Sequence, residues 1–353
     1  MERVLELASS PLAPGIEPVR IAYRDDGTGA PLVFLHGGWG YAFYPVHRPP
    51  GMRLVIPERT GYGRSTRIAA LPARFHAAAA VEHARFLDAL GIGRCVLWGH
   101  SDGAVIAARM AIENPARYAG VILEALHLER EKPASRAFFT MMAEDPDGFG
   151  DRVTAKLAAD HGESWRDVLR AGGRAWLDIA ATPGEDFFDG RLGELNVPVM
   201  VMHGSDDPRT EPGELDRVIR EVPNYEWQLI PKAGHCPHSE KATWETCRDL
   251  VGAFVRRVMK LPPAPMNRVV FEIPVGRMAD VRIGLVGEQL GKGIGQAYTS
   301  NLSMRMVRQQ PTSETFAFHR VYPGEYVACL EGSPHSVTFV VDSSPTEQTF
   351  TLT

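Results

Sequence analysis

The chain has little cysteine, no long apolar run and no strong excess of either charge. Its 353 residues hold four cysteines, Cys95, Cys236, Cys247 and Cys329, and none of them forms a Cys-x-x-Cys pair. This excludes a disulfide framework and the common zinc motifs. No run of about 18 apolar residues is present, so no membrane span is expected. The net charge of −5 comes without a basic block, which argues against a nucleic-acid partner.

The N-terminal sequence also lacks the basic region and apolar stretch of a signal peptide. Together with the scattered cysteines, this predicts reduced thiols and a cytoplasmic location. The composition, 44% apolar and 23% charged, is typical of soluble globular proteins. We therefore expect a soluble protein that has no membrane partner.

Short apolar segments alternate with helical patterns over the first 260 residues. After an edge hairpin in residues 1–30, the apolar segments have the length of strands that are buried on both faces. They occupy 31–35, 52–57, 95–98, 118–123, 197–202 and 225–230. Helical patterns occupy 74–90, 104–114, 214–221 and 242–260. The alternation predicts an α/β fold with a mostly parallel sheet and helices on both faces.

The alternation is interrupted between about residues 126 and 195, where the pattern is helical. An insertion of this kind predicts a cap over the carboxyl ends of the strands, where open α/β sheets place their sites. Its bulky residues include Trp165 and Trp176. Bulky residues of a cap form its own core or face the substrate, and Trp165 and Trp176 are our candidates for contact with a substrate. Trp39, which lies in a glycine-rich loop, is a further candidate.

The last part of the chain has a different character. A proline-rich linker at 263–267 is followed by about seven short alternating segments in 268–353. Such segments, separated by turn residues, predict a small β-sandwich. We therefore expect two domains, 1–262 and 268–353, and the second is a candidate surface for forming a homo-oligomer.

The central motif is Gly99-His100-Ser101-Asp102-Gly103, which lies between a predicted strand and a predicted helix. Strand, Gly-x-Ser-x-Gly and helix together are typical of a nucleophile elbow. The serine stands at the tip of a sharp turn, and only small neighbours fit a backbone so crowded. Ser101 is therefore the predicted nucleophile.

Two other strand ends carry the groups that a nucleophilic serine needs. Asp207 follows the strand at 197–202, and His235 follows the strand at 225–230. The histidine would take the serine proton, and the acid would orient the imidazole and stabilise its charged form. Asp206 and Glu124 are alternative acids. No cluster of metal ligands accompanies these residues, so no metal or other cofactor is expected.

A serine nucleophile also needs donors for the oxyanion that forms on the substrate. The backbone N–H groups of Gly38 and Asp102 are the expected pair. The Asp102 side chain adds a negative charge beside the nucleophile. It either faces the pocket and attracts a cationic group of the substrate, or packs against the sheet or caps a backbone turn.

Residues 20–260 resemble the α/β-hydrolase superfamily. The resemblance includes five landmarks: residues 36–38, 61–63, 99–103, 204–207 and 234–235. Within it, Gly-His-Ser-Asp-Gly and Leu-Glu-Ala-Leu-His at 123–127 resemble the branch of biphenyl-hydrolase-like proteins and valacyclovirase-type aminoacyl-ester hydrolases. Glu58, where relatives often have Asp, departs from the pattern, and so does the β-rich C-terminal part.

The resemblance implies a serine hydrolase that cleaves a carboxylic ester of a small molecule through an acyl-enzyme. An amide, lactone or thioester is a near variant of that substrate. One alternative is a C–C bond hydrolase, or a lyase-like use of the same triad. A different class is a non-catalytic protein that senses a ligand in the same pocket.

Overall fold

The computed structural model describes residues 2–49, 51–182, 186–222 and 225–260, and eight strands between 267 and 351. The first part contains eight strands and seven helices. The strands are β1 Glu2–Leu7, β2 Val19–Asp26, β3 Ala30–Leu35, β4 Met52–Pro57, β5 Cys95–His100, β6 Tyr118–Glu124, β7 Val199–Gly204 and β8 Tyr225–Ile230. The helices are α1 Phe75–Ala89, α2 Asp102–Glu113, α3 Arg136–Glu144, α4 Asp151–His161, α5 Trp165–Ala180, α6 Glu214–Glu221 and α7 Trp244–Lys260.

The eight strands form one sheet in the order β1-β2-β4-β3-β5-β6-β7-β8. Strands β3 to β8 run parallel to one another. At one edge of the sheet, β2 pairs antiparallel with β4, and β1 pairs antiparallel with β2. Every residue of β5, β6 and β7 is buried. This explains why these segments are continuously apolar rather than alternating. The predicted α/β fold is confirmed.

Two apolar cores lie on opposite faces of the sheet. One core contains Val33 and Leu35 of β3 together with residues of α1 and α2. The other contains Leu32 and Phe34 of the same strand together with residues of α7. Alternate residues of a strand point to opposite faces, so a buried strand supplies both cores. Among the described helices, none is long and apolar enough to cross a membrane.

The chain between β6 and β7 holds α3, α4 and α5, and we call this segment, 126–195, the cap. Helices α3 and α5 approach each other closely at Gly173, where a Cβ atom would lie 2.6 Å from the backbone nitrogen of Ala143. Near this contact, the rings of Phe139 and Trp176 stack with their centroids 5.0 Å apart. The insertion is therefore helical, as expected.

Eight further strands follow the first part, in two four-stranded sheets. They are β9 Asn267–Ile273, β10 Val281–Leu285, β11 Asn301–Leu302, β12 Val307–Gln309, β13 Glu314–Val321, β14 Gly324–Leu330, β15 Ser336–Val341 and β16 Glu347–Thr351. The sheet orders are β11-β10-β14-β15 and β12-β13-β9-β16. Phe339 and Phe350, one from each sheet, have ring centroids 4.6 Å apart. The predicted linker lies outside the described residues except for Asn267, and the division into two domains stays a prediction.

Candidate active site

Ser101 lies between β5 and α2 with φ +56°, a left-handed conformation that is rare for residues other than glycine. The neighbouring glycines are required by the crowding of this turn. A Cβ atom at Gly99 would lie 2.1 Å from the carbonyl oxygen of Gly103, and one at Gly103 would lie 1.9 Å from that of Leu35. The turn therefore has the strained geometry of a nucleophile elbow.

Asp207 and His235 meet beside this turn. The Nδ1 atom of His235 lies 2.9 and 3.1 Å from the two carboxylate oxygens of Asp207. Burial opposes the ionisation of Asp207, but the charge and hydrogen bond of His235 outweigh it and hold the pKa of Asp207 below its usual range. Asp206 instead accepts a hydrogen bond from Ser205 at the exposed surface. Of the two neighbouring aspartates, Asp207 is the one that contacts His235.

Glu124, the other alternative acid, contacts different groups. Its carboxylate accepts a hydrogen bond from Trp98 at 2.8 Å and pairs with Nδ1 of His238 at 2.7 Å. His100 lies beside them, with Nε2 3.0 Å from the carbonyl oxygen of His235. Among the described residues, His100, Glu124 and His238 form the one group with metal-ligand spacing. Both oxygens of Glu124 already have protein partners, so the group supports the loop of His235.

The hydroxyl of Ser101 forms a hydrogen bond with a second histidine. Its Oγ atom lies 3.2 Å from Nε2 of His127, which is buried. The ring of His127 is nearly parallel to that of His235, at 20° and 5.6 Å between centroids. Ser101, His127 and His235 therefore share one site.

The Asp102 side chain contacts three different segments of the chain. Its Oδ1 atom accepts hydrogen bonds from Nε2 of His76 at 3.0 Å and from the indole of Trp176 at 3.1 Å, while Oδ2 lies 3.5 Å from the Arg59 guanidinium. Burial alone would raise the pKa of Asp102, but His76 and Arg59 outweigh it and lower the pKa. Of the two alternatives for this side chain, these contacts favour packing inside the protein, and the attraction of a cationic substrate stays a prediction.

Gly38, the other expected oxyanion donor, lies in a loop whose geometry is fixed by His36. The backbone N–H of Arg59 donates to Nε2 of His36 at 3.0 Å, so Nδ1 must carry the proton, and it donates to the carbonyl of Gly37 at 2.8 Å. Burial and the nearby Arg59 charge lower the pKa of His36 well below its usual value. A neutral histidine thus holds the glycine loop against the loop that follows β4.

A cavity opens above Ser101 and is lined by Ser101, Gly38, Asp102, His127 and His235. Much of its wall is aromatic. The aromatic side chains are Trp39, Tyr44, Phe75, Phe138, Phe139 and Trp176. Two of the three tryptophans expected at the substrate, Trp39 and Trp176, are in this wall. Trp165 is not among the lining residues; it packs in the core, the other position expected for a bulky residue of the cap.

The cavity also contains a guanidinium and is closed on one side by the cap. Arg209 lies with its guanidinium carbon 3.3 Å from the ring centroid of Phe138. On the cap, Nδ1 of His161 accepts from the backbone of Gly63 at 3.0 Å, and Nε2 lies 3.1 Å from the carbonyl of Trp39. These bonds connect α4 to two loops at the carboxyl ends of the strands.

A family model described as the alpha/beta hydrolase family matches residues 32–244. The chain belongs to the α/β-hydrolase family. Together with the α/β sheet, this makes the protein a hydrolase of the α/β-hydrolase type.

The similarity of this α/β-hydrolase to its relatives covers most of their length. A 2-hydroxy-6-oxononadienedioate/2-hydroxy-6-oxononatrienedioate hydrolase of Burkholderia vietnamiensis is 26% identical over 277 residues, 68% of this chain and 92% of the relative. A 2-hydroxy-6-oxo-6-phenylhexa-2,4-dienoate hydrolase of Burkholderia cepacia is 25% identical over 259 residues, 65% and 89% of the two chains. A solved esterase of Thermogutta terrifontis is similar with a TM-score of 0.54 and 23% identity, and the match covers 72% of this chain and 99% of that one.

Several residues of this hydrolase's site were not singled out by the motifs. Arg59, His76 and Arg209 belong to no motif and no periodic pattern that would have indicated a role in the site. His127 ends the Leu-Glu-Ala-Leu-His segment, where its position just after a buried strand was the available signal. A polar residue just beyond the carboxyl end of a parallel strand is a candidate for the site in this class of fold.

Proposed function

We propose that the protein is a serine hydrolase that cleaves a carboxylic ester of a small molecule, with lactones, amides and thioesters as near variants. The observation that carries the proposal is the strained turn of Ser101 at a cavity that His235, paired with Asp207, also lines. A nucleophile, a base and an orienting acid at one cavity are the parts that acyl transfer requires.

In the proposed reaction, His235 takes the proton of Ser101 as Oγ attacks the substrate carbonyl. The backbone N–H groups of Gly38 and Asp102 hold the oxyanion, and each such donor lowers the barrier by roughly 3–4 kcal/mol. Asp102 begins α2, so its N–H has no partner within the helix. The leaving group departs with the proton from His235, and water activated by the same histidine then releases the acid.

The substrate we propose is largely apolar with one polar or anionic end. The aromatic wall of the cavity suits an apolar or aromatic group, since burial of such a group contributes about 25 cal/mol per Å². The Arg209 guanidinium is the charged group that would pair with a carboxylate or carbonyl oxygen at the other end. This arrangement favours an ester that carries a second oxygen function.

The alternative is hydrolysis of a C–C bond by the same residues. The two Burkholderia relatives are named as hydrolases of 2-hydroxy-6-oxo acids, which carry both a ketone and a carboxylate. A cavity containing Arg209 suits such a substrate too. Analysis of the products from an ester panel and from 2-hydroxy-6-oxo dienoates separates the two reactions.

We also propose that the reaction takes place in the first of the two predicted domains. All the cavity-lining residues lie between Gly38 and His235. We therefore assign the chemistry to the first domain, 1–262, and leave the second, 268–353, with assembly or another role outside the reaction.

The test is labelling and turnover with variants of the proposed triad. Ser101→Ala should abolish both fluorophosphonate labelling and hydrolysis of p-nitrophenyl butyrate. Asp207→Asn should lower kcat by a factor on the order of 10⁴, because the histidine loses its orienting charge. Asp206→Asn, on the exposed neighbour, is the matched control and should stay near wild type. Robust turnover by Ser101→Ala would overturn the assignment.

A further inference from the structure

The second histidine at the site, His127, has no part in the reaction described above. Its Nε2 atom lies 3.2 Å from Ser101 Oγ, and its ring packs between those of His235 and Trp176. Its side chain is buried at the cavity wall. A group in contact with the reacting oxygen is placed to act on the reaction itself.

The backbone just before His127 has a positive φ angle, as the turn at Ser101 does. Ala125, two residues before it, has φ +50°, and its N–H donates to the carbonyl of Met202 at 3.0 Å. A residue with a Cβ atom is rarely found in this conformation. Strain of this kind persists where the surroundings enforce it, and it is concentrated at active sites.

The backbone after His127 is held by a buried carboxylate. The N–H groups of Leu128 and Glu129 both donate to Oε1 of Glu214, at 2.8 and 3.0 Å. The ammonium group of Lys132 pairs with the same carboxylate, and both side chains are 1% exposed. His127 is therefore fixed from both sides along the chain.

The charges around the two histidines give them different roles. A general base must become an imidazolium, and His235 has Asp207 to stabilise that form. Burial lowers the pKa of His127 well below its usual value, and the positive charge of Lys132, with smaller contributions from His235, Arg209 and His76, lowers it further. His127 is thus neutral, with one ring N–H and one lone pair.

We propose that His127 is a further catalytic residue, whose Nε2–H donates a hydrogen bond to Ser101 Oγ and stabilises negative charge on that oxygen. The inference rests on the proposed function. In acylation, the Ser101 proton moves to His235 while Oγ bonds to the acyl carbon, and His235 then gives that proton to the departing leaving group. In deacylation, His235 takes a proton from the attacking water, the bond between Oγ and the acyl carbon breaks, and Oγ takes that proton from His235. His127 keeps its own proton throughout.

The test compares His127→Phe, His127→Asn and His127→Gln. Glutamine can place an amide N–H near the position of the imidazole Nε2, whereas asparagine is too short and phenylalanine has no donor. We expect the Phe and Asn variants to lose about 10-fold to 100-fold in both kcat for p-nitrophenyl butyrate and the fluorophosphonate labelling rate, since a hydrogen bond to a charged group is removed. The Gln variant should remain within about fivefold of wild type.

The pH dependence and the thermal stability complete the test. The midpoint of the profile of kcat/KM against pH should be the same in all variants, because the base is His235. Wild-type rates in the Phe and Asn variants would overturn the proposal. Equal losses of kcat in the Gln and Asn variants at unchanged Tm would also overturn it. The same holds if the midpoint of the pH profile is absent in the His127 variants. If the Phe variant does not fold, the ratio of kcat between the Gln and Asn variants tests the proposal.

Failure of the proposed function gives a different result. If Ser101→Ala is labelled and turns over like wild type, the serine mechanism fails whatever His127 does. If Ser101→Ala is inactive and the His127 variants are unaffected, only the role of His127 fails.

Discussion

Replacing Asp102 by asparagine removes a buried charge while keeping the shape of the side chain. Asparagine retains an oxygen that can accept from His76 and Trp176, and the backbone N–H expected in the oxyanion hole is unchanged. The substitution removes the negative charge that pairs with Arg59, and the Arg59 side chain is fully buried. The variant therefore isolates the charge of the carboxylate.

The expected loss of stability follows from the distance between the two charges. Unit charges 3.5 Å apart interact by about 5 kcal/mol at an effective dielectric constant of about 20. Measurements on buried pairs in proteins, where one partner is removed, give about 3–5 kcal/mol. The two estimates agree, and they correspond to a fall in Tm on the order of 10 °C.

The assay is thermal unfolding together with kinetics on matched cationic and neutral esters. Asp189→Asn is the control, because Asp189 pairs with Arg74 and Arg109 while it is 45% exposed, and it should cost less than about 1 kcal/mol. Adding Arg59→Met to Asp102→Asn should recover at least half of the lost stability, since no unpaired charge remains.

Two results would refute this reasoning. One is an unchanged Tm for Asp102→Asn, which would mean that Arg59 does not depend on the carboxylate. The other is a selective loss of kcat/KM on cationic esters, which would show that the carboxylate binds the substrate after all.

Asp160 of α4 and Arg209 of the cavity give predictions of their own. Burial, together with the charge of Glu58, raises the pKa of Asp160 to about 7. The folded protein then binds this proton more tightly than the unfolded chain, so stability should fall by roughly 3 kcal/mol between about pH 5 and about pH 8. Asp160→Asn should remove this dependence in thermal unfolding, and an equally steep curve for the variant would contradict the pKa. Arg209→Gln should lower kcat/KM about tenfold for p-nitrophenyl hemiglutarate but leave p-nitrophenyl butyrate within about twofold, whereas equal losses on both esters would exclude a role in binding the carboxylate.

The elements that the sequence predicted correctly have a repeating physical signature. Buried strands such as β5 and β6 are uninterrupted apolar segments, and helices such as α6 have a clear apolar face, so length and periodicity identify them. The glycines around Ser101 have a similarly local cause, because the atoms that exclude a Cβ are in the turn and the adjacent strand.

The contacts that the sequence could not predict join single residues far apart in the chain. Asp102 contacts Arg59, His76 and Trp176, which lie in a loop and two helices far apart in the sequence. No local sequence pattern predicts such contacts. Trp165 and Trp176 show the same limit within one helix. Eleven residues apart, they share a face of α5 but are separated by about 16 Å along its axis, so only Trp176 reaches the cavity.

The two sides of the cavity at Ser101 differ in how readily their residues can be replaced. On the sheet side, Gly99 and Gly103 leave no room for even one added carbon. On the cap side, the wall is made by flexible or bulky side chains such as Phe138 and Met142, which can be exchanged without moving the main chain. Substitutions on the cap side can therefore change the shape of the cavity, whereas Gly99 and Gly103 admit no larger residue.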